Sequence, residues 1–447
     1  MNSLFSWISA RKTEVKHPST SATVTIREQD TGTRRVSLQE FVEKRCPSLY
    51  STFHPAWWLP SGHHQTLYCV VGDFSQRDKV VYKRTLLRLK DGGTIGLDFT
   101  PVDSGHMAPD TPIVVVLHGL TGGSYESYVR AILSPACLPT SEGGLGYRAV
   151  VVNFRGCAGV PVTSPQMYSA GHTNDIRQAV FYISALFPDA PLLGLGFSLG
   201  ANVMTRYIAE EGQRCRLRSA CILACPWNLN ANNDKLNSTY LGLHVYSKGM
   251  GRNLVNMLKK SVHSFSHYPE HDVAKAAIKA VSLNRPAIDT FDDTFTRIAG
   301  GSSPPWPFAS ARDYYEYASS HKVLGDVRIP FLAINASDDP VVQDVPMDAG
   351  ENEWVIMALT SHGGHLGWFE VDDAGWGQVR KWIRHPVLEW FHATAEVMIW
   401  DGLRYPDIHE IDGYFTEVGR ETLGCKVVNT EEIIRGTEGQ AGLLPGL

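Results

Sequence analysis

The sequence predicts an α/β fold: a doubly wound, mostly parallel sheet with an antiparallel hairpin at its N-terminal side and an inserted helical cap. Three observations predict it. Short runs rich in Val, Ile and Leu recur with little alternation, as strands buried on both faces do. Amphipathic stretches with helical spacing separate them. Between Pro226 and Ile329 the alternation stops for about a hundred residues rich in Asn, Gly and aromatics, too long for a plain connection.

Taken in order, residues 1–45 are polar and mixed, with one helical pattern at SLQEFVEKRC, and read as an N-terminal extension. Residues 46–400 hold the main domain. From Val80 to Phe99, VVYKRTLLRLKDGGTIGLDF alternates apolar and polar residues around Asp91-Gly92-Gly93, a hairpin signal. Buried-strand runs follow at 112–119 (PIVVVLHG), 147–156 (YRAVVVNFRG), 190–198 (APLLGLGFS), 219–226 (SACILACP), 329–337 (IPFLAINAS) and 353–359 (EWVIMAL). In the helical segment TNDIRQAVFYISALF, Ile176, Ala179, Val180 and Ile183 share a face. In ANVMTRYIAEEG, Val203, Met204, Tyr207 and Ile208 recur at helical spacing. The cap covers about 226–328. Residues 401–447 form a C-terminal tail of low apolar content, ending in GQAGLLPGL, for which partial disorder is expected.

Composition bounds the function. The chain has 447 residues, 43% of them hydrophobic and 19% charged, with a formal net charge of -5. Mild acidity and the absence of a Lys/Arg stripe exclude a nucleic-acid partner. The eight cysteines form no C-x-x-C pair and no compact framework, so reduced thiols in a cytoplasmic setting are expected. Cys221 and Cys225 in SACILACP read as small buried hydrophobes. Leu4, Phe5, Trp7 and Ile8 make an apolar patch too short for a signal peptide or a membrane span. A frayed terminus is the favoured reading there, with peripheral contact to a membrane or lipid droplet as the alternative. No motif calls for a cofactor. His362 and His365 lack an H-E-x-x-H context, and His63 and His64 have no matching carboxylates, so no metal is expected.

The chemistry gathers at Gly196-Phe197-Ser198-Leu199-Gly200. Ser198 ends an apolar strand and opens an amphipathic helix, the placement a nucleophile elbow requires. Glycines two residues before and after it relieve the crowding of a strained serine. A nucleophilic serine needs a base, an acid to orient the base, and donors for an oxyanion. His118-Gly119-Leu120-Thr121-Gly122-Gly123 follows a strand where a loop can turn its amides toward the elbow, which makes the N–H groups of Leu199 and Leu120 the expected oxyanion hole. A phosphate cradle is the rival reading of that glycine run, but it lacks the G-K-[ST] of a P-loop. IPFLAINASDDPVV offers Asp338 and Asp339 as the acid. Asp339 is favoured, and Asp338 would cap the turn. EWVIMALTSHGGHLGWF offers two bases, of which His365 is favoured and His362 is expected in a supporting or surface role. The order Ser198, Asp339, His365 is that of the α/β-hydrolases.

Seven segments extend the match. HPAWWLPSGHHQT at 54–66, HGLTGGSYESYVR at 118–130, the block from Asn153 to Val180, GFSLGAN at 196–202, DYYEYASS at 313–320, INASDDPVV at 334–342 and HGGHLGWFE at 362–370 resemble the α/β-hydrolase family of bacterial YheT, the animal abhydrolase-domain phospholipases and monoacylglycerol lipases, and the yeast medium-chain fatty acid ethyl ester synthases. The resemblance implies a serine triad at Ser198, Asp339 and His365. It also implies esterase, lipase or acyl-CoA:alcohol acyltransferase activity on medium-chain or monoacylglycerol-type acyl esters. Animal members begin with a membrane-spanning helix that is not seen here, so membrane integration is not carried over. GGSSPPWPF at 300–308 looks like an insertion near the pocket. Arg155 and the segment Gly171 to Asp175 are expected to brace the elbow. Asp292 and Asp293 of FDDTF are expected to be helix-terminal or solvated.

The expected partner is therefore a small acyl ester or acyl-CoA. Trp57, Trp58, Trp227, Trp306 and Trp368 are candidates for the walls of an acyl pocket, with core positions as the bland alternative. Two other functions share the fold: tailoring of secondary metabolites by an esterase or acyltransferase, and non-catalytic ligand binding.

Overall fold

The computed structural model describes residues 11–28, 32–372, 377–400 and 405–435. Among these, twelve strands form one sheet. In chain order they are β1 (Glu14–Lys16), β2 (Val81–Leu89), β3 (Thr94–Thr100), β4 (Ile113–Leu117), β5 (Arg148–Asn153) and β6 (Leu192–Phe197). Then come β7 (Leu217–Leu223), β8 (Phe331–Ala336), β9 (Val355–Thr360), β10 (Ile408–Ile411), β11 (Tyr414–Glu417) and β12 (Cys425–Arg435). Across the sheet they lie in the order β1-β9-β8-β7-β6-β4-β5-β3-β2-β12-β11-β10. The block from β9 to β5 is parallel throughout, and the pairings outside it are antiparallel.

Both faces of the parallel block are covered. In β4, Ile113, Val115 and Leu117 pack into the core on one side, while Val114 and Val116 pack into the core on the other. A strand that alternates between two dry cores has no polar face to show, so it reads as an unbroken apolar run. Each such side chain contributes about 1.5–3 kcal/mol by burial. Helices Asn174–Leu186 and Leu199–Glu211 supply much of the first core through Ile176, Val180, Val203 and Tyr207. The segment between β7 and β8 is mostly helical, with helices Leu229–Ser238, Lys248–Ser261, Asp272–Val281 and Ala311–Ala318 and π-turns at Gly242–Ser247 and Asp292–Thr296.

The two ends of the chain depart from expectation. Residues of the supposed extension give β1, which pairs antiparallel with β9, and a hairpin, Thr23–Glu28 with Gly32–Ser37, that adds Met398–Ile399 as a third strand. The tail is structured from Ile408 to Arg435: β12 runs along β2 from Leu89 to Val81, and β10 and β11 follow outward. The reason is the edge. Without β12 the long strand β2 would present its N–H and C=O groups unpaired. An antiparallel strand with a wet face needs few apolar residues, and Val428 and Ile433 are indeed exposed. The apolar patch of Leu4, Phe5, Trp7 and Ile8 and the terminal GQAGLLPGL lie outside the described residues.

Among the described residues no helix is long and apolar enough to cross a membrane, and no cluster of His, Cys, Asp and Glu could hold a metal ion. None of the eight cysteines is paired in a disulfide.

Candidate active site

The site assembles where the parallel strands end. β4 and β6 are neighbours, with Leu117 opposite Gly196, so the loop beginning at His118 and the turn at Ser198 leave the sheet side by side. β8 and β9 are also neighbours, with Ala336 opposite Thr360, which sends Asp338-Asp339 and the His362–His365 loop out along the same edge. Strand order reverses at β4, with β5 on one side and β6 on the other. A doubly wound sheet opens its crevice at such a point.

Ser198 sits on a strained turn, at φ 50° and ψ -120°. Left-handed backbone of this kind costs about 1–3 kcal/mol in a non-glycine residue and persists only where the surroundings impose it. Here the Ser198 N–H donates to the Leu223 carbonyl at 2.9 Å, and the Ala201 N–H donates back to the Ser198 carbonyl at 2.9 Å. The flanking glycines are required by contact. A Cβ on Gly196 would lie 2.7 Å from the Ala201 Cα, and one on Gly200 would lie 2.4 Å from the His118 carbonyl oxygen. Backbone cannot yield to such a contact as a side chain can.

Three side chains then meet. His365 Nε2 is 2.8 Å from Ser198 Oγ, and His365 Nδ1 is 2.8 Å from Asp339 Oδ2. Asp339 and His365 are almost fully buried, at 1% and 2% exposure, while Ser198 is half-buried. The other Asp339 oxygen, Oδ1, accepts from the Val341 and Val342 amides at 2.7 and 2.9 Å. With Asp339 ionised, Nδ1–H donates to it, and Nε2 is left to accept the Ser198 proton. Asp338 faces elsewhere. Its Oδ1 accepts from the Gly364 amide at 2.9 Å, and its Oδ2 lies 3.3 Å from His362 Nδ1. Asp338 and His362 therefore tie the loop of Asp339 to the loop of His365.

Sequence reasoning missed a further layer. In helix Gly62–Val71, Thr66 Oγ1 accepts from the His365 amide at 2.8 Å and donates to the Gly62 carbonyl at 2.7 Å. A Cβ on Gly62 would fall 1.8 Å from the Asp338 carbonyl oxygen. This helix thus presses on both loops. The signal in the sequence was the block HPAWWLPSGHHQT, read above only as part of the family resemblance, where Gly62 and Thr66 are one helical turn apart.

Leu120 and Leu199 face the same space, and both border the cavity that opens on Ser198. Among the described residues neither amide has a protein acceptor, which leaves both N–H groups available to an oxyanion. Their loop is pinned. The Gly119 amide donates to Tyr128 Oη at 3.0 Å and the Thr121 amide to Tyr168 Oη at 3.1 Å. His118 is neutral, its pKa pushed down to about 4 by burial. Its Nε2 accepts from the Phe154 amide at 3.3 Å, so Nδ1–H donates to the Gly119 carbonyl at 2.8 Å.

The cavity, about 110 Å³, runs from Ser198 into the helical segment between Leu229 and Tyr315. Met250, Leu254, Met257, Ile288, Phe291 and Phe295 supply much of its apolar wall. The five tryptophans do not border it. Trp227 and Trp368 are core residues whose indole N–H groups donate to Asn335 and Thr360. Trp306 packs with Phe308 and Tyr314 in a separate cluster, and Trp57 is exposed, edge-on to Trp58. Met250 and Met257, flexible and polarizable, suit an irregular apolar wall.

Two flanking motifs resolve differently. Arg155, 1% exposed, donates to both oxygens of Asp175 at 2.6 and 2.8 Å and to Asp91 at 2.7 Å, bracing the block beside the elbow. Asp292 is helix-terminal, closing helix Ile288–Phe291 and opening a π-turn, but it is not solvated. It is buried in the cavity wall, because its π-turn rotates it inward while Asp293 stays on the outer side, capping the Ala311 amide at 2.9 Å.

Comparison with known proteins shows the family. A monoacylglycerol lipase of Saccharomyces cerevisiae is 31% identical over 85% of this chain and 89% of its own length. Phospholipase ABHD3 of Mus musculus is 31% identical over 75% of this chain and 77% of its own. Medium-chain fatty acid ethyl ester synthase/esterase 2 of Saccharomyces cerevisiae is 29% identical over 82% of this chain and 91% of its own. The family model described as the alpha/beta hydrolase fold matches residues 112–367, a span that runs from β4 through Ser198 and Asp339 to His365. The chain is therefore a member of the α/β-hydrolase family.

Proposed function

We propose that this protein is a serine esterase or lipase that cleaves medium-chain acyl esters, monoacylglycerols among them, through Ser198, His365 and Asp339. The observation that carries the reading is the 2.8 Å approach of His365 Nε2 to a strained Ser198 Oγ at the mouth of an apolar cavity. Ser198 Oγ forms a bond to the ester carbonyl carbon while its proton passes to His365 Nε2. Asp339 holds the imidazole and offsets its positive charge. The oxyanion accepts from the Leu120 and Leu199 amides, each contributing on the order of 10²–10³ in rate. The carbon–alkoxy bond then breaks, and the alcohol leaves with the proton from His365. Water, deprotonated by the same histidine, releases the acid and restores Ser198.

An alcohol in place of water would complete an acyl transfer from an ester or acyl-CoA with the same residues. The name of the yeast synthase/esterase relative favours keeping that second outcome in the test. The experiment is labelling with a fluorophosphonate probe, wild type against Ser198→Ala, followed by turnover of an ester and acyl-CoA chain-length panel with and without ethanol. Labelling confined to the wild type is expected, with cleavage greatest for medium chains. Equal labelling of the two proteins would sink the nucleophile, and free acid as the sole product at high ethanol would sink transfer.

A further inference from the structure

Asp292 stands out among the residues of the cavity. It shares the cavity wall with Phe291, Phe295, Ile288 and Met257 and is buried, where an ionisable carboxyl is costly unless it is partnered. Its partners are both neutral. Thr296 Oγ1 donates to Oδ1 at 2.5 Å and Tyr315 Oη donates to Oδ2 at 2.7 Å. Among the described residues no Lys or Arg pairs with it. Two oxygens offer about four acceptor sites, so two donors leave the carboxyl with capacity to spare. Asp292 also opens a π-turn, Asp292–Thr296, a distortion that recurs at functional sites because it redirects a side chain at some cost in helix geometry. Thr296, Tyr314 and Tyr315 share the same cavity wall. A largely apolar chamber, with Asn232 and Asn233 also on its wall, thus carries, among the described residues, one acid, Asp292, in the space that also reaches Ser198.

We propose that Asp292 is a specificity-determining residue that accepts a hydrogen bond from a hydroxyl group carried by the substrate away from the scissile ester. The inference rests on the esterase reading above. It deepens that reading by naming the substrate class: acyl esters with a free hydroxyl, whether on the alcohol or on the acyl chain. Burial raises the Asp292 pKa to about 6, so at about pH 8 the acceptor is anionic, and bonds to charged acceptors are the stronger kind. A site built for a hydroxyl discriminates against the analogue that lacks it, because the buried acceptor is then left short of a donor.

The test compares kcat/KM within two matched pairs at about pH 8. Glyceryl monooctanoate against propyl octanoate places the hydroxyls on the alcohol. Ethyl ω-hydroxyoctanoate against ethyl octanoate places one on the acyl chain. The expected result is a preference of about tenfold or more for the hydroxylated member of one pair in the wild type, collapsing toward unity in Asp292→Asn. Tyr315→Phe, which removes a donor to the carboxylate and leaves the charge, should keep the preference. A role limited to bracing the cap would make the two variants behave alike. A wild-type ratio near unity in both pairs overturns the inference without any variant, and so does a preference that survives Asp292→Asn. Either result, alongside probe labelling that still requires Ser198, leaves the esterase reading standing. Labelling that persists in Ser198→Ala brings that reading down instead.

Discussion

Replacing Asp292 by Asn should make the protein more stable at neutral pH, and by an amount that depends on pH in a defined way. Burial is the main force on this carboxyl, with Asp289 adding to it and the Thr296 and Tyr315 hydrogen bonds opposing it. The result lifts its pKa from an ordinary 3.8 to about 6. A rise of about 2 corresponds to about 3 kcal/mol at ~1.4 kcal/mol per pKa unit. Because the folded pKa lies above the unfolded one, the native state binds the proton more tightly between those two values. The stabilisation is complete below the unfolded pKa and is lost as pH rises through about 6. An amide cannot ionise and escapes that loss. Denaturant unfolding of wild type and Asp292→Asn across a pH series measures the difference, in which the titrations common to both proteins cancel. The variant should gain on the wild type by about 3 kcal/mol between about pH 4 and pH 8, mostly below about pH 6. Its amide accepts from Thr296 and Tyr315 less well than a carboxyl, an offset of about 1 kcal/mol that does not vary with pH. A stability difference that stays constant with pH, or that turns against the variant as pH rises, would refute the reasoning, the second by implying a cation beside Asp292.

Other perturbations address the site directly. Gly200→Ala places a Cβ 2.4 Å from the His118 carbonyl and 2.5 Å from that of Leu117, so a loss of about 3 kcal/mol or more is expected, read as a fall in thermal midpoint; an unchanged midpoint contradicts the close approach. Asp339→Asn should lower kcat by about 10³–10⁴ through the wrong histidine tautomer, whereas Asp338→Asn, which loses only a tie between loops, should cost far less; the reverse ranking would exchange their roles. Thr66→Val removes the acceptor of the His365 amide and should lower kcat about tenfold with little change in KM, and Thr66→Ser should restore it. Full activity in Thr66→Val beside a loss in Thr66→Ser would argue that the methyl group, not the hydroxyl, matters there.

The parallel block was legible in the sequence because each of its strands is buried on both faces, and an unbroken apolar run as short as IVVVL suits few environments besides a sheet covered on two sides. The elbow was legible for a related reason. Its glycines are demanded by contacts within a few residues or to the neighbouring strand, so steric need leaves a local mark. The ends of the chain were not legible, because an antiparallel strand such as β12 is stabilised by pairing with β2 and not by a distinctive composition. Cavity walls fail in the same way: Met257 and Phe291 line the chamber while Trp227 lies in the core, and apolar content alone cannot separate the two.

By itself the sequence determined the strand and helix series, the turn at Ser198, and the short set of acids and bases that could serve it. Only the tertiary structure decided among that set. Asp339 and not Asp338 faces His365, because one residue of displacement past the end of β8 turns a side chain from one loop face to the other. Only the tertiary structure joined Thr66 to His365 across 299 positions of sequence, and only it turned Asp292 inward and Asp293 outward. Local patterns record the forces a residue meets within its own strand or helix. Which distant groups it meets depends on how the layers close over one another, and that leaves no periodicity to read.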